Sequence, residues 1–209
     1  MKILISAGPT REKIDPVRFI SNYSSGKMGY ALAEVAAEKG HQVTLVSGPV
    51  ALSSPKKVKT VQVESASEMS REIRRFAKFA DLIIMAAAVA DYRPVKMAKD
   101  KIKKNSRKIT IALEKTEDIL ESLGKTRKKG QIIVGFAAET SNLLKNARAK
   151  LVIKNHDWIV ANEVGKADRG FSSNNNAAIL VSRSGEEIKL SLQSKKSLAG
   201  KIINIVTLK

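Results

Sequence analysis

An alternation limits this chain's fold more than any other feature. Short apolar runs at residues 2–6, 42–46, 59–63, 82–86, 132–136 and 157–161 are separated by stretches of helical period near 26–39, 67–79, 117–124 and 142–153. Strands alternating with helices favour a mostly parallel sheet covered on both faces. The pattern therefore predicts an α/β fold, a Rossmann-like doubly wound sheet. Ligands of such sheets sit outside the carboxyl ends of the strands. The polar loops 7–25, 87–106 and 137–141 all follow predicted strands, which makes them the candidate site loops. After residue 165 the pattern changes. Ala177–Val181 and Glu187–Leu190 read as a hairpin, and Lys195–Leu208 as an amphipathic closing helix. No repeat or low-complexity linker interrupts the chain, and residues 1–209 read as a single domain.

The sharpest local signal is Ile20-Ser-Asn-Tyr-Ser-Ser-Gly-Lys-Met-Gly29, between the first strand and a helix. Met28, Ala31, Leu32, Val35 and Ala36 have the spacing of a buried helical stripe. Ser24 and Ser25 stand where an N-cap belongs, and Gly26 and Gly29 let a ligand or a strand come close. A small-residue loop before a helix N-terminus is an anion site, because unpaired N–H groups and the helix dipole point outward together. The commonest phosphate motifs do not fit. The first loop is Ala7-Gly8-Pro9-Thr10 instead of Gly-x-Gly-x-x-Gly, and the second strand ends in Ser47-Gly48-Pro49 without an acid for a ribose. Gly26-Lys27 is followed by Met28, so a P-loop's hydroxyl is missing. The Arg11–Arg18 connection is long for a Rossmann unit, and loops of that length are usually functional.

Composition removes several alternatives. There is no cysteine, so disulfides, thiolate metal sites and a cysteine nucleophile are excluded. His41 and His156 are far apart, which argues against a His-based metal site or a Ser-His-Asp triad. The longest apolar run, Leu82–Ala90, is too short to span a bilayer, and the expected location is the cytoplasm. A net charge of +18 raises nucleic-acid binding, but 4% aromatic residues are too few for stacking platforms and no nucleic-acid motif appears. No specific nucleic acid and no membrane is expected as a partner.

Several motifs together resemble one family. Ala7-Gly-Pro-Thr-Arg-Glu12, Ile14-Asp-Pro-Val-Arg18, Ser24-Ser-Gly-Lys-Met-Gly29 and Thr44-Leu-Val-Ser-Gly-Pro-Val50 occur in order. They are followed by Ala86-Ala-Ala-Val-Ala-Asp-Tyr-Arg-Pro94, Lys101-Ile-Lys-Lys104, Val134-Gly-Phe-Ala-Ala-Glu-Thr140, Ile159-Val-Ala-Asn162 and Gly170-Phe-Ser-Ser-Asn-Asn-Asn176. The chain resembles phosphopantothenate–cysteine ligase, in many bacteria the C-terminal half of a bifunctional coenzyme A biosynthesis protein. The resemblance implies joining of 4′-phosphopantothenate to L-cysteine with CTP, through a phosphopantothenoyl-CMP intermediate. It implies Mg²⁺ with the triphosphate, though no metal ligand can be named. It also implies a homodimer, for which the late hairpin is the candidate interface, and association with a phosphopantothenoylcysteine decarboxylase. Whether the chain stands alone or belongs to a longer protein is left open.

A carboxylate attacking a polyphosphate brings like charges together, so the site needs cations and hydrogen-bond donors more than a strong base. Asn22, Lys27, Lys101, Lys103, Lys104, Lys150 and Lys154 lie where such groups are wanted. By resemblance, Asn22 binds the substrate carboxylate and its amide donates to the acyl phosphate. An Asx turn is its ordinary alternative. Ser24, Ser25, Gly26 and Lys27 would face the triphosphate. Asp91–Lys108 carries a run of Lys and Arg without apolar period and reads as a mobile lid, with Lys101 as its functional lysine. Asp91, with Met85, Ala86 and Ala87, matches a nucleotide contact, although Asp91 suits a turn cap equally well. Phe136 matches a nucleotide-contacting aromatic, and a core role is its alternative. Lys150 and Lys154 share a helix face and match two lysines near the nucleotide, where a solvated face is the plain alternative. Glu117, Asp118, Ile119 and Leu120 fall at the base pocket, where Thr116-Glu-Asp-Ile119 replaces the usual Asn-Pro-Asp-Ile or Thr-Pro-Asp-Ile. Asn162, polar at a strand end, is a candidate phosphopantothenate contact.

Overall fold

The computed structural model describes residues 1–104, 108–139, 143–163 and 173–208. Arg107 of the predicted lid, residues 140–141 of the third loop and residues 170–172 of the Asn-rich motif lie outside them. In chain order the elements are β1 (Lys2–Ala7), β2 (Arg11–Lys13), β3 (Phe19–Ser21), α1 (Lys27–Glu38), β4 (Gln42–Ser47), β5 (Val58–Gln62), α2 (Ala66–Ala77), β6 (Leu82–Met85), β7 (Tyr92–Pro94) and β8 (Leu113–Lys115). They continue with α3 (Ile119–Thr126), β9 (Ile132–Glu139), α4 (Leu143–Ile153), β10 (Trp158–Glu163), β11 (Asn175–Ser182), β12 (Glu187–Ser194) and α5 (Lys195–Thr207).

Eight strands form one sheet in the order β12-β11-β10-β9-β6-β1-β4-β5. The six from β10 to β5 run parallel, with registers such as Ile5 opposite Leu45 and Ile84. The chain starts in mid-sheet at β1, winds outward to β5, then returns to β6 on the other side of β1. The switch point therefore lies between β1 and β6, where a crevice opens beyond the strand ends. Alternate residues of each strand serve opposite faces. Ile3, Ile5, Leu45, Ile84 and Val160 pack under α1 and α5, whereas Leu4, Val46, Ile83 and Ile133 pack under α2 and α3. Ala137, Ile159 and Ala161 meet Ala147 and Leu151 of α4. Among the described residues no helix is long and apolar enough to cross a membrane.

Helix starts follow local chemistry. Ser65 accepts from the Glu68 N–H at 3.2 Å while the Glu68 carboxylate accepts from the Glu64 N–H at 2.7 Å, a reciprocal cap that opens α2. Asp118 and Ser194 cap α3 and α5 by accepting from the N–H groups of Glu121 and Ser197. Helix α1 departs from the expected serine cap: its N-cap is Gly26, at φ 77°, with no side-chain cap bond. The Ser24 hydroxyl instead accepts from the Gly26 N–H at 3.3 Å and shapes the turn before the helix. The buried face of α1 is wider than the predicted stripe. Gly29, Tyr30 and Ala33 join Leu32, Val35 and Ala36, while Met28 and Ala31 are half-buried. Gly29 lets α1 settle on β1, because a Cβ there would stand 2.5 Å from the Ala7 Cβ.

The late hairpin does not stand apart: β11 pairs antiparallel with β10, so β11 and β12 extend the main sheet and β12 is its edge. Two small ladders escaped the periodicity. The 7–25 loop contains the β2–β3 hairpin, and the lid segment is rooted in the β7–β8 pair. Three-residue strands carry too little pattern to be read from sequence. The lid is docked where it is described. Asp15, 1% exposed, accepts from the N–H groups of Val17 and Arg18 at 2.8 Å each and of Ile102 at 3.1 Å. Arg18 reaches the Ile102 carbonyl, and the Ala98 N–H donates to the Ile14 carbonyl at 2.9 Å. Residues 98–102 thus lie on the β2–β3 hairpin. Val17, Phe19, Tyr23, Tyr92, Val95, Met97 and Leu113 of these two hairpins and their flanks are all exposed.

Candidate active site

A cavity of about 460 Å³ opens at the carboxyl edge of the sheet, at the switch point. Its walls come from both helical layers. The α1–α5 layer contributes Ser24–Lys27 and Lys195, while the α3–α4 side contributes Glu117–Leu120, Lys150 and Lys154. Met85–Ala87 and Asp91 border it from the segment after β6, and Phe136, Asn162 and Asn176 from β9, β10 and β11. The cavity therefore gathers Asn22, Ser24, Ser25, Gly26, Lys27, Met85, Ala86, Ala87, Asp91, Glu117, Asp118, Ile119, Leu120, Phe136, Lys150, Lys154 and Asn162. Lys101 is the exception. It is exposed next to the docked Ile102 and does not line the cavity, nor do Lys103 and Lys104.

The floor is held by cross-links between loops. The Ala87 N–H donates to the buried Ser6 hydroxyl at 3.1 Å, and the Ala90 N–H to the buried Thr10 hydroxyl at 3.0 Å. Main-chain bonds from Ala88 N–H to Gly8 and from Thr10 N–H to Ala88 tie the loop after β1 to the loop after β6. Asn22 takes part in this frame. Its carboxamide N–H groups donate to the Ala88 and Val89 carbonyls at 3.1 Å each. The sequence expectation had the amide donating to a ligand. In this structure both amide N–H groups are engaged by the frame.

The α3–α4 side has its own charge pattern. Lys154, just past α4, pairs with Asp118 at 2.5 Å. Burial works against the Asp118 carboxylate, but the Lys154 ammonium and the Glu121 N–H outweigh it and hold it below the usual range. Glu117 is engaged by the Ser70 hydroxyl at 2.8 Å and by Arg74. Asp91, exposed at the mouth, has no side-chain partner among the described residues. His156 lies beneath this end, 0% exposed, with neither ring nitrogen hydrogen-bonded among the described residues. Burial first and the Lys154 charge second push it down to about 4, so it is a neutral imidazole at physiological pH. Gly135 makes room for it, since a Cβ there would be 3.0 Å from its Nδ1.

Sequence reasoning missed His156, Asn176 and Lys195. A lone histidine is an ordinary core residue by default, and Asn176 lay in an Asn-rich run without a distinguishing spacing. Lys195 looked like any lysine in the first turn of an amphipathic helix, yet it is 7% exposed and lines the cavity. No local signal marks it. Among the described residues no group of three or more His, Asp or Glu could hold a metal ion by itself.

Comparison with known proteins agrees with this architecture. Residues 1–208 match the family described as DNA/pantothenate metabolism flavoprotein C-terminal domain. The coenzyme A biosynthesis bifunctional protein CoaBC of Vibrio parahaemolyticus is 50% identical over 96% of this chain and 51% of its own length. Its Escherichia coli K12 counterpart is 45% identical over 97% of this chain and 50% of its own length. The chain thus spans about half the length of these curated relatives. The crystal structure of the C-terminal domain of a CoaBC protein superposes with a TM-score of 0.84 at 46% identity, covering 98% of this chain and 93% of that one.

Proposed function

The chain belongs to the DNA/pantothenate metabolism flavoprotein C-terminal domain family, and from that premise we propose that it is a phosphopantothenate–cysteine ligase. The observation that carries the proposal is a cavity at the sheet's carboxyl edge whose lining combines the apolar Phe136, Ile119 and Leu120 with Lys27, Lys150, Lys154 and Lys195. Phe136, Ile119 and Leu120 offer an environment suited to a nucleobase. Lys27 and the Gly26–Gly29 turn offer one suited to phosphates.

The reaction runs in two displacements. A carboxylate oxygen of 4′-phosphopantothenate attacks the α-phosphorus of CTP; the new P–O bond forms as the bond to the β-phosphate breaks, and pyrophosphate leaves. The cysteine amine then attacks the acyl carbon, CMP leaves, and the amine's proton passes to solvent. The protein's work is to hold like charges together and in line. The α1 N-terminus and Lys27 take triphosphate charge, while Asn22, fixed on the Ala88–Val89 carbonyls, bounds the acyl position. Asn162 borders the phosphopantothenate position. Mg²⁺ would arrive on the triphosphate and offset its charge, with Asp91 as the cavity carboxylate available to it.

Lys101 enters this scheme only if residues 98–104 leave the β2–β3 hairpin, or if the lid serves a second copy. The homodimer, cytoplasmic location and association with a decarboxylase belong to the same proposal. The exposed apolar side chains of the β2–β3 and β7–β8 hairpins favour those hairpins over β12 as the dimer surface. The test is pyrophosphate release with 4′-phosphopantothenate and Mg²⁺, comparing CTP with ATP, with and without cysteine. Release that prefers CTP and becomes multiple-turnover on adding cysteine is expected. Absence of release from folded protein with either nucleotide would overturn the reading.

A further inference from the structure

The closing helix α5 reaches the cavity from the last strand of the sheet. Strand β12 runs antiparallel to β11, which runs antiparallel to β10, so β12 ends at the carboxyl edge with the parallel strands. Its continuation delivers Lys195 to the cavity in the first turn of α5. Helix α5 packs on α1, and Asn174 joins their starts. The Asn174 side-chain oxygen accepts from the Lys27 ammonium at 2.8 Å, and its main-chain carbonyl accepts from the Lys195 N–H at 2.9 Å. The carboxamides of Asn162 and Asn176, 8% and 5% exposed, border the same cavity.

Two ammonium groups, the buried Asn176 carboxamide and two helix N-termini make the α1–α5 side of the cavity a region of positive potential partly shielded from water. An anion with several oxygens, and not a single carboxylate, matches that many donors. From this juxtaposition we propose that Lys195 is a phosphate-holding residue which, with Lys27, takes the terminal phosphates of a nucleoside triphosphate. The inference rests on the ligase reading above. The other phosphate in the reaction is the monoester of 4′-phosphopantothenate. The placement favours the nucleotide, because Lys195 is tied to Lys27 in the first turn of α1, in the cavity that Phe136, Ile119 and Leu120 also line. Burial first, and the Lys27 charge second, push Lys195 down to about 8, and an arriving polyphosphate counters both.

The experiment is calorimetric titration of wild type, Lys195→Met and Lys195→Arg with CTP, CMP and 4′-phosphopantothenate. Methionine fills the space of the buried stem and removes the charge. The expected result for Lys195→Met is a fall of roughly 10–100-fold in CTP affinity, the range for one charge-assisted hydrogen bond. CMP affinity should stay within about twofold, and arginine should recover most of the loss; a merely structural role would weaken both nucleotides together. An equal loss for CTP and CMP, no loss, or a loss confined to 4′-phosphopantothenate would overturn the assignment while leaving the ligase reading intact. Should Lys195→Met not fold, Lys195→Gln carries the same comparison. Wild type that binds neither CTP nor 4′-phosphopantothenate would overturn the ligase reading itself, and this inference with it.

Discussion

His156 makes the stability of this protein depend on pH in a window that carboxylates do not share. The ring is 0% exposed, without a hydrogen-bond partner among the described residues, and faces Lys154, whose charge disfavours the imidazolium. Asp118, Asp157 and the Leu120 backbone act in the opposite direction but do not outweigh burial. The unfolded chain takes up a proton near 6.5, the folded one only near about 4. Between these values the unfolded state binds more protons, so stability falls as pH falls, at about 1.4 kcal/mol per unit. From pH 7.5 to 4.5 this amounts to about 2.5 kcal/mol, after allowing for slight protonation of the folded state. Asp15 and Asp118 are held below 3.8, so their loss sets in further down. His41, also lowered, titrates in both proteins of the comparison and cancels. The assay is urea unfolding at pH 7.5, 6.5, 5.5 and 4.5 for wild type and His156→Phe. Wild type should lose about 2.5 kcal/mol more than the variant over that range. Parallel profiles for the two proteins would show that the imidazole is not held neutral and would refute the reasoning.

Three further outcomes are expected. Asn22→Asp replaces the donors to the Ala88 and Val89 carbonyls with a carboxylate facing both them and the substrate. Pyrophosphate release should drop by roughly 100-fold or more, and unchanged single-turnover release would remove Asn22 from the site. Gly29→Ala places a Cβ 2.5 Å from that of Ala7 and 2.9 Å from the Ser6 carbonyl oxygen, forcing α1 off β1. A loss of about 1–3 kcal/mol in denaturant unfolding is expected, accompanied by weaker CTP binding because the Gly26 turn moves with the helix. Lys101→Gln, on an exposed segment, should leave the melting temperature unchanged and slow turnover; an unaltered rate would reduce Lys101 to surface charge.

Much of this molecule is legible in its residue order because the controlling forces are local. Strand periodicity of two and helix periodicity of 3.6 placed the six parallel strands and four of the helices within a few residues, and the hairpin and closing helix after them. The stretch from Asn22 to Lys27 reads as a candidate phosphate loop from its small residues and glycines alone, and the fold puts it on the cavity wall, although the expected serine cap gives way to Gly26. Tertiary structure alone decided the rest. That Gly29 lets α1 settle on β1 is a matter of packing between two elements. Where residues 98–102 lie is set with the help of Asp15, whose Oδ2 accepts from the Ile102 N–H 87 residues away. Lys195 and His156 carry no mark in their neighbourhoods, because burial is conferred by elements distant in the chain. The antiparallel return through β11 and β12 brings the first turn of α5 beside that of α1, and packing against Gly135 seals the imidazole. Local patterns named the elements and the loop proposed to hold an anion; the winding of the sheet chose which distant charges share one cavity.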